Sequence, residues 1–410
     1  MSSKFIVGLD VGSYSIKAAI AEVKKNSKLA LVHVFKVPSA GMRRGVVDDL
    51  GETTRAISQA LGEIRQISKS AVKNIYLGVG SPDFKSQTGM GMVAVSRADS
   101  EIYQDDIDRA VDASQAIKLV GNRMIIHRIT NEFIVDGVNG IRDPLGMVGN
   151  RLEVRSTIIE AFGPSIKNLT KCVEAAGGEV AGLIFSPLAS SRAMLSRNQK
   201  ELGVAMIDIG FGKTGISIYE ENKLLHSSIF PVGSGNITND LAIGLKIGVN
   251  GAENIKLSLG TALAKEAPSR EQVDLTKFDS GSRGSASRRY IAEIIEARLS
   301  EMLEFVNNEL KYIGKQARLP VGVVLAGGGS KLPAMVDLAR QELRLNSQVG
   351  VPNLSELDIA NSELMGQAED PEMACAFGLL LSGADQSVTT RSSGKGVHQI
   401  VKKLFNIFTP

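Results

Sequence analysis

A repeated motif constrains the fold of this chain more than any other feature of its sequence. Residues 7–22 align without gaps to residues 205–220, which begin 198 positions later, so that Asp10 corresponds to Asp208 and Gly12 to Gly210. Each copy is an apolar run, then Asp-x-Gly with small or polar residues, then a second apolar run, which predicts a strand, a tight glycine turn and a returning strand. Two such hairpins, each opening one half of the chain, predict an α/β protein with two related lobes and a cleft between them.

The rest of the chain alternates between strand and helix patterns. Strands are predicted at residues 75–79, 179–185 and 321–326, and helices at 53–67, 165–176 and 287–313. Between the strand at 75–79 and the helix at 165–176 lies a stretch of different composition. It has an acidic helix at 103–116 and strands at 124–129 and 132–135. We interpret this stretch as an inserted subdomain. Residues 382–396 are rich in Ser, Thr and Gly, which predicts a flexible linker.

Composition excludes several classes of protein. A chain of 410 residues is long enough for two or three domains. It carries 47 basic and 44 acidic residues, but residues 386–410 hold four basic residues and no acidic one, so the rest of the chain has a net charge of −1. This distribution argues against a nucleic-acid partner, which needs a broad basic surface. We also expect no signal peptide and no membrane-spanning helix. Only two cysteines are present, which indicates a reducing cytoplasm.

The two glycine turns have the composition of phosphate-binding loops. Glycine is needed where a phosphate must approach the main chain closely. We call residues 10–17 the first phosphate turn and residues 208–215 the second phosphate turn. Further donors are supplied by Ser13, Ser15 and Lys17 in the first and by Gly212, Lys213 and Thr214 in the second. Asp10 and Asp208 are suited to hold hydrated Mg²⁺ through its water ligands.

One Asp-x-Gly hairpin alone is most simply a plain turn. Two copies, followed by a buried strand that ends in Gly327, Gly328, Gly329 and Ser330, favour a nucleotide site instead. The second phosphate turn is not a Walker loop, because Ile207 stands where that motif requires its first glycine. A G-x-G-x-x-G motif that opens a helix is also missing from the sequence, so a dinucleotide fold is excluded.

Further segments resemble a single family. They are residues 41–48, 134–137 with 143–147, 168–177, 186–190, 237–242 with 252–256, and 294–298. With the two hairpins and the later glycine loop, they make the chain similar nearly end to end to the FtsA family. This family contains actin-like bacterial cell-division proteins and belongs to the actin, Hsp70 and sugar-kinase superfamily.

The resemblance implies an actin-like, two-lobed fold with duplicated nucleotide-binding halves. Its subdomains would be residues 1–82 and 163–196 (lobe I core, 1A), 83–162 (the inserted 1C), 197–235 and 305–381 (lobe II core, 2A), 236–304 (2B), 382–394 (linker) and 395–410 (terminal helix). In this family 1C contacts other division proteins, and 2B binds the C-terminal peptide of the tubulin-like protein FtsZ. Arg298 matches the family arginine near that peptide pocket.

The resemblance also implies that ATP and Mg²⁺ are the cofactors. Phosphate would be bound by Gly12, Ser13, Ser15 and Lys17 in the first phosphate turn and by Asp208, Gly210, Gly212, Lys213 and Thr214 in the second. Gly233, Gly235 and Asn236 would form the next nucleotide-facing loop. Glu253 and Lys256 would lie beside the adenine, and residues 327–330 behind the adenosine.

The second phosphate turn departs from the family pattern Asp-Ile-Gly-Gly-Gly-Thr-Thr-Asp. Phe211 replaces a glycine, Lys213 a threonine and Gly215 an aspartate. Lys213 would add a point charge for phosphate, whereas loss of the acid would weaken metal placement or hydrolysis. The sequence therefore predicts a nucleotide-binding scaffold that is at most a weak ATPase, and it identifies no catalytic residue.

The C-terminus has the pattern of an interfacial membrane helix. One apolar stripe at helical spacing is formed by Val397, Ile400, Val401, Leu404, Phe405 and Phe408, and Lys402 and Lys403 lie on the other face. The basic face is suited to anionic lipids of the inner membrane surface. Alternatively, this helix docks on the body of the protein or on a partner. With the resemblance, we expect a cytoplasmic protein bound peripherally to the membrane at the division site, which assembles with itself into protofilaments.

Two other functions remain open from the residues. A PilM-like adaptor of type IV pilus assembly has similar loops and a similar insert, but the terminal amphipathic helix argues against it. A small-molecule kinase of the same superfamily would need an aspartate base beside the γ-phosphate, and the sequence does not identify one. A peptide chaperone would need a large substrate domain after residue 385, for which too few residues follow.

Overall fold

Two sheets form the framework of the computed structural model, which describes residues 4–24, 28–360 and 362–392. The strands of the first sheet are β1 (Lys4–Val11), β2 (Ser15–Val23), β3 (Leu29–Pro38), β6 (Ile75–Val79), β11 (Val180–Phe185) and β19 (Leu357–Ile359). Those of the second are β12 (Val204–Ile209), β13 (Thr214–Glu220), β14 (Lys223–Phe230), β17 (Gly322–Ala326) and β18 (Ser347–Val349). We define lobe I by the first sheet and lobe II by the second.

The two sheets confirm the duplication. Lobe I has the order β11-β6-β1-β2-β3-β19, and lobe II has the corresponding order β18-β17-β12-β13-β14. In each lobe the hairpin strands are antiparallel, and the first of them pairs in parallel with the next strand of the sheet. Both predicted hairpins are present, and each glycine turn lies at the same edge of its sheet.

The insert is a separate sheet. Its strands are β7 (Lys85–Ala94), β8 (Arg123–Val135), β9 (Val138–Ile141) and β10 (Arg151–Phe162), in the order β7-β10-β8-β9. The acidic helix α2 (Gln104–Gln115) covers one face, where a Cβ on Gly91 would lie only 2.3 Å from the Ala110 carbonyl oxygen. The two strands predicted at 124–129 and 132–135 are one continuous strand, β8. Four shorter strands are β4 (Met42–Arg43), β5 (Val46–Val47), β15 (Gln272–Asp274) and β16 (Ser285–Ser287).

Helices cover the sheets of both lobes. The remaining helices are α1 (Leu50–Ile67), α3 (Gly163–Ala175), α4 (Ser186–Met194), α5 (Arg197–Leu202), α6 (Ser234–Leu245), α7 (Val249–Leu259), α8 (Arg288–Tyr312), α9 (Met335–Leu343), α10 (Ser362–Ala368) and α11 (Ala374–Ser392). The predicted helices at 53–67, 165–176 and 287–313 correspond to α1, α3 and α8. α1 begins three residues before its prediction because the Asp49 carboxylate caps it, accepting from the Glu52 amide at 2.8 Å.

Helix α4 joins the two lobes. It packs against β6 and β11 of lobe I and against β12, β13 and β17 of lobe II. Every residue of α4 except Arg192 is buried, as expected of a helix that is surrounded by protein on all sides. Because α4 begins at Ser186, directly after β11, its N-terminal end lies at the cleft.

The structure corrects the predicted C-terminal boundaries. β19 pairs with β3, and α11 packs on β1, β2 and β6, so residues 357–381 belong to lobe I and their assignment to the lobe II core is wrong. The linker predicted from residue 382 is also wrong up to residue 392, because those residues continue α11. Gly383 provides close packing there, since a Cβ would lie 2.4 Å from the Tyr76 ring. Residues 393–394 and the predicted membrane helix at 395–410 lie outside the described residues.

Candidate nucleotide site

The first phosphate turn closes tightly on itself. The Gly12 amide donates to the Ser15 carbonyl oxygen at 3.2 Å, and a Cβ on Gly12 would lie only 2.7 Å from that oxygen. The turn lines a cavity of about 330 Å³ through its aspartate, its glycine, its donors and one aromatic ring: Asp10, Gly12, Ser13, Tyr14, Ser15 and Lys17. A side chain at residue 12 would push the turn apart, which is why glycine is required there.

The second phosphate turn has the same construction in lobe II and faces the same cavity. The Gly210 amide donates to the Lys213 carbonyl oxygen at 3.0 Å. The residues of this turn that line the cavity are Asp208, Gly210, Phe211, Gly212, Lys213 and Gly215. A third wall comes from the loop after β17, where Gly327, Gly328 and Gly329 line the cavity. The structure thus brings together the three glycine segments that the sequence predicted to act on one ligand.

Five of the predicted nucleotide residues lie behind the cavity wall: Thr214, Gly233, Gly235, Asn236 and Ser330. The Thr214 hydroxyl donates to the Val232 carbonyl oxygen at 2.8 Å, and the Ser330 hydroxyl donates to the Gly327 carbonyl oxygen at 2.7 Å. A Cβ on Gly233 would lie 2.6 Å from the carbonyl oxygens of both Gly210 and Phe211. In this structure these residues support the shape of the loops.

Charged groups of opposite sign lie close together at the base of the cavity. Lys17 Nζ lies 3.7 Å from Asp10 Oδ2. Burial lowers the pKa of Lys17, but the carboxylates of Asp10, Asp208 and Glu372 outweigh burial and hold this pKa above its ordinary value. Burial raises the pKa of Asp208, and the nearby Asp10 carboxylate adds to this rise, although Asp208 Oδ2 accepts from the Ser190 hydroxyl at 2.7 Å.

The two aspartates fit a hydrated metal ion. Asp10 and Asp208 both line the cavity, at equivalent positions of the two turns. A cation held between them through water would stabilise the charged form of Asp208, which burial and Asp10 disfavour. Within the described residues no group of three or more His, Cys, Asp or Glu side chains is arranged to bind a metal directly. Oxygen ligands from a phosphate would therefore have to complete the site.

Glu253 and Lys256 form an ion pair on the lobe II side of the cavity, on α7. Lys256 Nζ lies 2.7 Å from Glu253 Oε2 and also donates to the Thr238 hydroxyl at 2.9 Å and the Ser234 carbonyl oxygen at 3.2 Å. Burial lowers the pKa of Lys256 although Glu253 opposes this effect. Both side chains line the cavity, where the resemblance implied an adenine neighbour.

The cavity wall contains several residues that were not predicted from the sequence. Lys331 and Glu372 line it, and Lys331 Nζ pairs with Asp370 at 2.9 Å and with Glu372 at 3.4 Å. Cys375, on the first turn of α11, and Ser186 and Pro187, at the start of α4, also line it. Glu372 lies in no recognisable motif, and α11 reaches the cavity only through long-range packing. Lys331 directly follows the predicted loop at 327–330, which is the signal that could have identified it. The Ser186-Pro187 pair, however, was among the segments that carried the family resemblance.

Two of the unusual residues in the second phosphate turn contact lobe I. The Phe211 ring lies 5.0 Å from the Tyr14 ring of the first phosphate turn, between centroids. The Lys213 ammonium donates to the carbonyl oxygen of Gly80, at the end of β6. The third, Gly215, lies against Pro187, where a Cβ would be 3.0 Å from Pro187 Cγ. The departures from the family pattern therefore bring the second phosphate turn into contact with lobe I and α4.

Arg298, on α8 of lobe II, is separate from the cavity wall. Its guanidinium is bidentate to Asp240 on α6, with Nε–Oδ2 at 2.5 Å and Nη2–Oδ1 at 3.0 Å, and it also pairs with Glu301. The Asp240 hydrogen bonds raise the pKa of Arg298 above its ordinary value. The guanidinium is partly exposed and tightly oriented by these acids.

Comparison with known proteins relates this chain to one family. A family model described as cell division protein FtsA matches residues 205–378, and a model of the SHS2 domain inserted in FtsA matches residues 82–160. The chain is 32% identical over 382 residues to cell division protein FtsA of Pseudomonas aeruginosa, which covers 93% of this chain and 90% of that protein. The chain belongs to the FtsA family. It is also 36% identical over 352 residues to FtsA of Bacillus subtilis (strain 168), covering 86% and 80% of the two proteins.

Solved structures confirm the actin-like fold of this FtsA family member. A PilM-PilN type IV pilus biogenesis complex has a TM-score of 0.65 at 17% identity, over 92% of this chain and 98% of that chain. MreB5 of Spiroplasma citri bound to ADP has a TM-score of 0.54 at 12% identity, over 96% and 99% of the two chains. Among the residues that the structure describes, none of the helices is both long and apolar enough to cross a bilayer.

Proposed function

We propose that this chain is an ATP-binding scaffold of bacterial cell division, which tethers FtsZ filaments to the cytoplasmic membrane and assembles with itself into protofilaments. The observation that carries the nucleotide part is the convergence of two phosphate turns and a third glycine loop on one cavity. A volume of about 330 Å³ is in the usual range for a small-molecule site. Actin-like relatives such as MreB5 of Spiroplasma citri hold ADP in a fold of this kind.

Within this proposal each wall of the cavity has a separate task. The glycines at residues 12, 210 and 212 leave space for phosphate beside the main chain, and Lys17 supplies a largely shielded positive charge. Asp10 and Asp208 hold Mg²⁺ through its water ligands. The Glu253–Lys256 pair and the glycines at 327–329 contact the nucleoside.

The cavity is better suited to holding a nucleotide than to hydrolysing it. General-base catalysis needs a carboxylate or imidazole that is free to accept a proton from the attacking water. Each carboxylate that lines the cavity already has a protein partner: Asp10 has Lys17, Asp208 has Ser190, Glu253 has Lys256, and Glu372 has Lys36 and Lys331. Gly215 replaces the acid at the end of the second phosphate turn. We therefore infer that nucleotide occupancy, rather than rapid turnover, controls this scaffold.

Membrane attachment is proposed through the C-terminal segment. The apolar stripe and the lysines at 402 and 403 have the pattern of a helix that lies on anionic lipid. One short helix binds a bilayer only modestly, whereas tails held side by side in a protofilament bind far more firmly because later insertions are effectively intramolecular. Self-assembly and membrane binding would therefore reinforce each other.

Co-sedimentation with phosphatidylglycerol-rich vesicles, with and without Mg-ATP, tests the anchor. The full chain should pellet with these vesicles, and a truncation after Ser392, which keeps α11 whole, should remain in the supernatant. Phe405→Ser should release the chain, whereas the matched control Asn406→Ser, on the opposite predicted face, should not. If the truncated chain pellets equally with lipid, the tail is not the anchor. If neither chain binds lipid, a PilM-like adaptor or a kinase becomes the better hypothesis.

Recruitment of FtsZ is tested in the same assay by adding FtsZ to chain-coated vesicles. Arg298→Ala should reduce the FtsZ that pellets, because it removes the oriented guanidinium between α6 and α8. Arg340→Ala is the matched control, since Arg340 pairs only locally with Asp337 on α9. Equal FtsZ recovery with both variants would contradict a role of Arg298 in peptide binding.

A further inference from the structure

The ammonium of Lys213 joins the second phosphate turn to the beginning of the insert. Lys213 belongs to lobe II, and its Nζ donates to the carbonyl oxygen of Gly80 in lobe I. Gly80 directly follows β6, and residues 80–84 lead from that strand into β7, the first strand of the insert. We call residues 80–84 the insert strap. A residue of the proposed phosphate site therefore holds the segment through which the insert is attached.

The insert strap is bonded to the base of the insert at two further points. The Asp83 carboxylate accepts from the Phe162 amide at 2.8 Å, at the end of β10. The Asp83 carbonyl oxygen accepts from Arg123 Nη2 at 2.8 Å, at the start of β8, and Arg123 Nε pairs with Glu160 at 2.6 Å. Because the strap is tied to both of these strands, a displacement of Gly80 would be passed to the insert.

The surroundings of this contact are closely packed. A Cβ on Gly45 would lie 2.1 Å from the Gly80 carbonyl oxygen and 3.2 Å from Lys213 Cδ. A Cβ on Gly80 would lie 2.8 Å from Ile229 Cδ1 of lobe II. Glycine at residues 45 and 80 therefore lets three separate segments meet at the Lys213 ammonium. The contact depends on this packing and is not an incidental approach of an exposed side chain.

Lys213 also lines the nucleotide cavity, next to Gly210 and Gly212. An ammonium forms a stronger, charge-assisted hydrogen bond with a phosphate than with a neutral carbonyl oxygen. We propose that Lys213 is a nucleotide-sensitive latch, which holds the insert strap until a terminal phosphate in the cavity draws its ammonium away from Gly80. This inference rests on the proposed nucleotide binding and adds a regulated element to it. Release of the strap would loosen the insert, through which the chain would contact other division proteins.

Hydrogen exchange of the full chain, followed by mass spectrometry, tests the latch. The reporter amides are those of Phe84, which donates to the Ser81 carbonyl oxygen at 3.1 Å, and Phe162, which donates to Asp83. Exchange is compared without nucleotide, with Mg-ADP and with a non-hydrolysable Mg-ATP analogue, at concentrations that saturate a separate fluorescence titration. The triphosphate should raise exchange at both amides several-fold, and ADP should raise it less.

Lysine variants distinguish the latch from a general effect of positive charge near the cavity. Lys213→Met should exchange rapidly at both amides in all conditions. Lys213→Thr, whose side chain is too short to reach Gly80, should give the same result and replaces the first variant if that variant folds poorly. Lys36→Met is the matched control, because Lys36 pairs with Glu372 beside the same cavity but does not line it. At saturating nucleotide this control should keep the wild-type response.

The outcomes distinguish the latch from the nucleotide site itself. If the titration shows binding but the triphosphate leaves exchange at Phe84 and Phe162 unchanged or slower, the latch is overturned while the nucleotide site stands. If the titration detects no nucleotide binding, the proposed site and the latch fall together. Wild-type exchange rates in Lys213→Met without nucleotide would also overturn the latch, since the contact with Gly80 would then restrain nothing.

Discussion

The lysine of the first phosphate turn lies inside the cavity, whereas the lysine of the second extends across the cleft to the other lobe. Lys17 lies among Asp10, Asp208 and Glu372, and Lys213 donates to Gly80. The hairpins are otherwise alike, with one amide-to-carbonyl bond closing each turn at 3.2 and 3.0 Å. Duplication has therefore conserved the backbone, while single side-chain changes have given the two turns different contacts. The difference suggests that the first turn mainly binds the nucleotide and that the second mainly connects the nucleotide site to lobe I.

Substitution of the glycines in the two turns should give the largest difference in nucleotide affinity between them. A Cβ at residue 12 would lie 2.7 Å from a backbone oxygen, and one at residue 210 would lie 3.0 Å from the equivalent oxygen. We expect Gly12→Ala to weaken nucleotide binding by about 10- to 100-fold, and Gly210→Ala by only a few-fold, since strain of ~1–3 kcal/mol is relieved more easily in the second turn. Titration with a fluorescent ATP analogue measures both.

The control for the glycine pair is Gly62→Ala on α1, where a Cβ would meet no atom within 4 Å. This variant should bind nucleotide like the wild type and unfold at a slightly higher temperature, because alanine favours a helix. Equal losses of affinity for Gly12→Ala and Gly210→Ala would show that the two turns contribute alike to binding.

The paired aspartates are expected to affect stability in opposite directions. Asp208 has a pKa above its ordinary value because of burial, so its contribution to stability is fully present below the unfolded-state pKa and is lost as pH rises through the folded-state pKa. At pH 7 Asp208→Asn should therefore raise the free energy of unfolding. Asp10→Asn should lower it, because Lys17 loses an ion-pair partner.

Urea unfolding of both aspartate variants at neutral pH and at about pH 4 measures these effects. The gain of Asp208→Asn should shrink at the lower pH, where the wild-type carboxyl binds a proton. Both variants should lose the magnesium dependence of nucleotide binding, since each removes one carboxylate of the proposed metal site. A stabilising Asp10→Asn would contradict the assignment of Asp10 as the partner of Lys17.

The aromatic contact between the turns gives the smallest expected effect. The Tyr14 and Phe211 rings are tilted by 33° relative to each other, with centroids 5.0 Å apart. A double-mutant cycle with Tyr14→Leu and Phe211→Leu should yield a coupling of about 0.5–1.5 kcal/mol in the free energy of unfolding. A coupling near zero would mean that the two rings are neighbours without holding the turns together.

Local patterns were sufficient to predict the repeated part of the fold. The Asp-x-Gly hairpins follow from alternating apolar runs around a glycine, and both are present with the same closure. Within lobe II the strand order places the turn after β12 beside the loop after β17, whereas the turn after β1 reaches the same cavity through the packing of both lobes on α4. The partner of Lys213 could not be predicted, since Gly80 precedes it by 133 residues and accepts through its main chain.

The C-terminal helix shows why composition misled the linker prediction. Ser, Thr and Gly near residue 382 are typical of a flexible segment, yet Ser382 is buried. Gly378 lies so close to α4 that a Cβ would be 1.7 Å from the Ala189 carbonyl oxygen. Small residues here serve close helix packing, and a single sequence does not distinguish that use from flexibility. Glu372 was missed for a related reason, since only tertiary packing brings it to the cavity. Lys331 directly follows the predicted loop at 327–330, so its position could have been inferred from that loop.

Helix α11 would have a mechanical consequence if the chain is anchored by its C-terminal segment as proposed. The helix runs to Ser392, just before the proposed anchor, and packs along β1. Its first turn carries Cys375 at the cavity wall, and β1 ends at the first phosphate turn. Tension between a constricting filament and the bilayer would thus be carried by α11 through the core of lobe I, directly past the proposed nucleotide cavity. The proposed anchor would load the same helix that lines the nucleotide cavity, so that tension and nucleotide occupancy would be mechanically coupled.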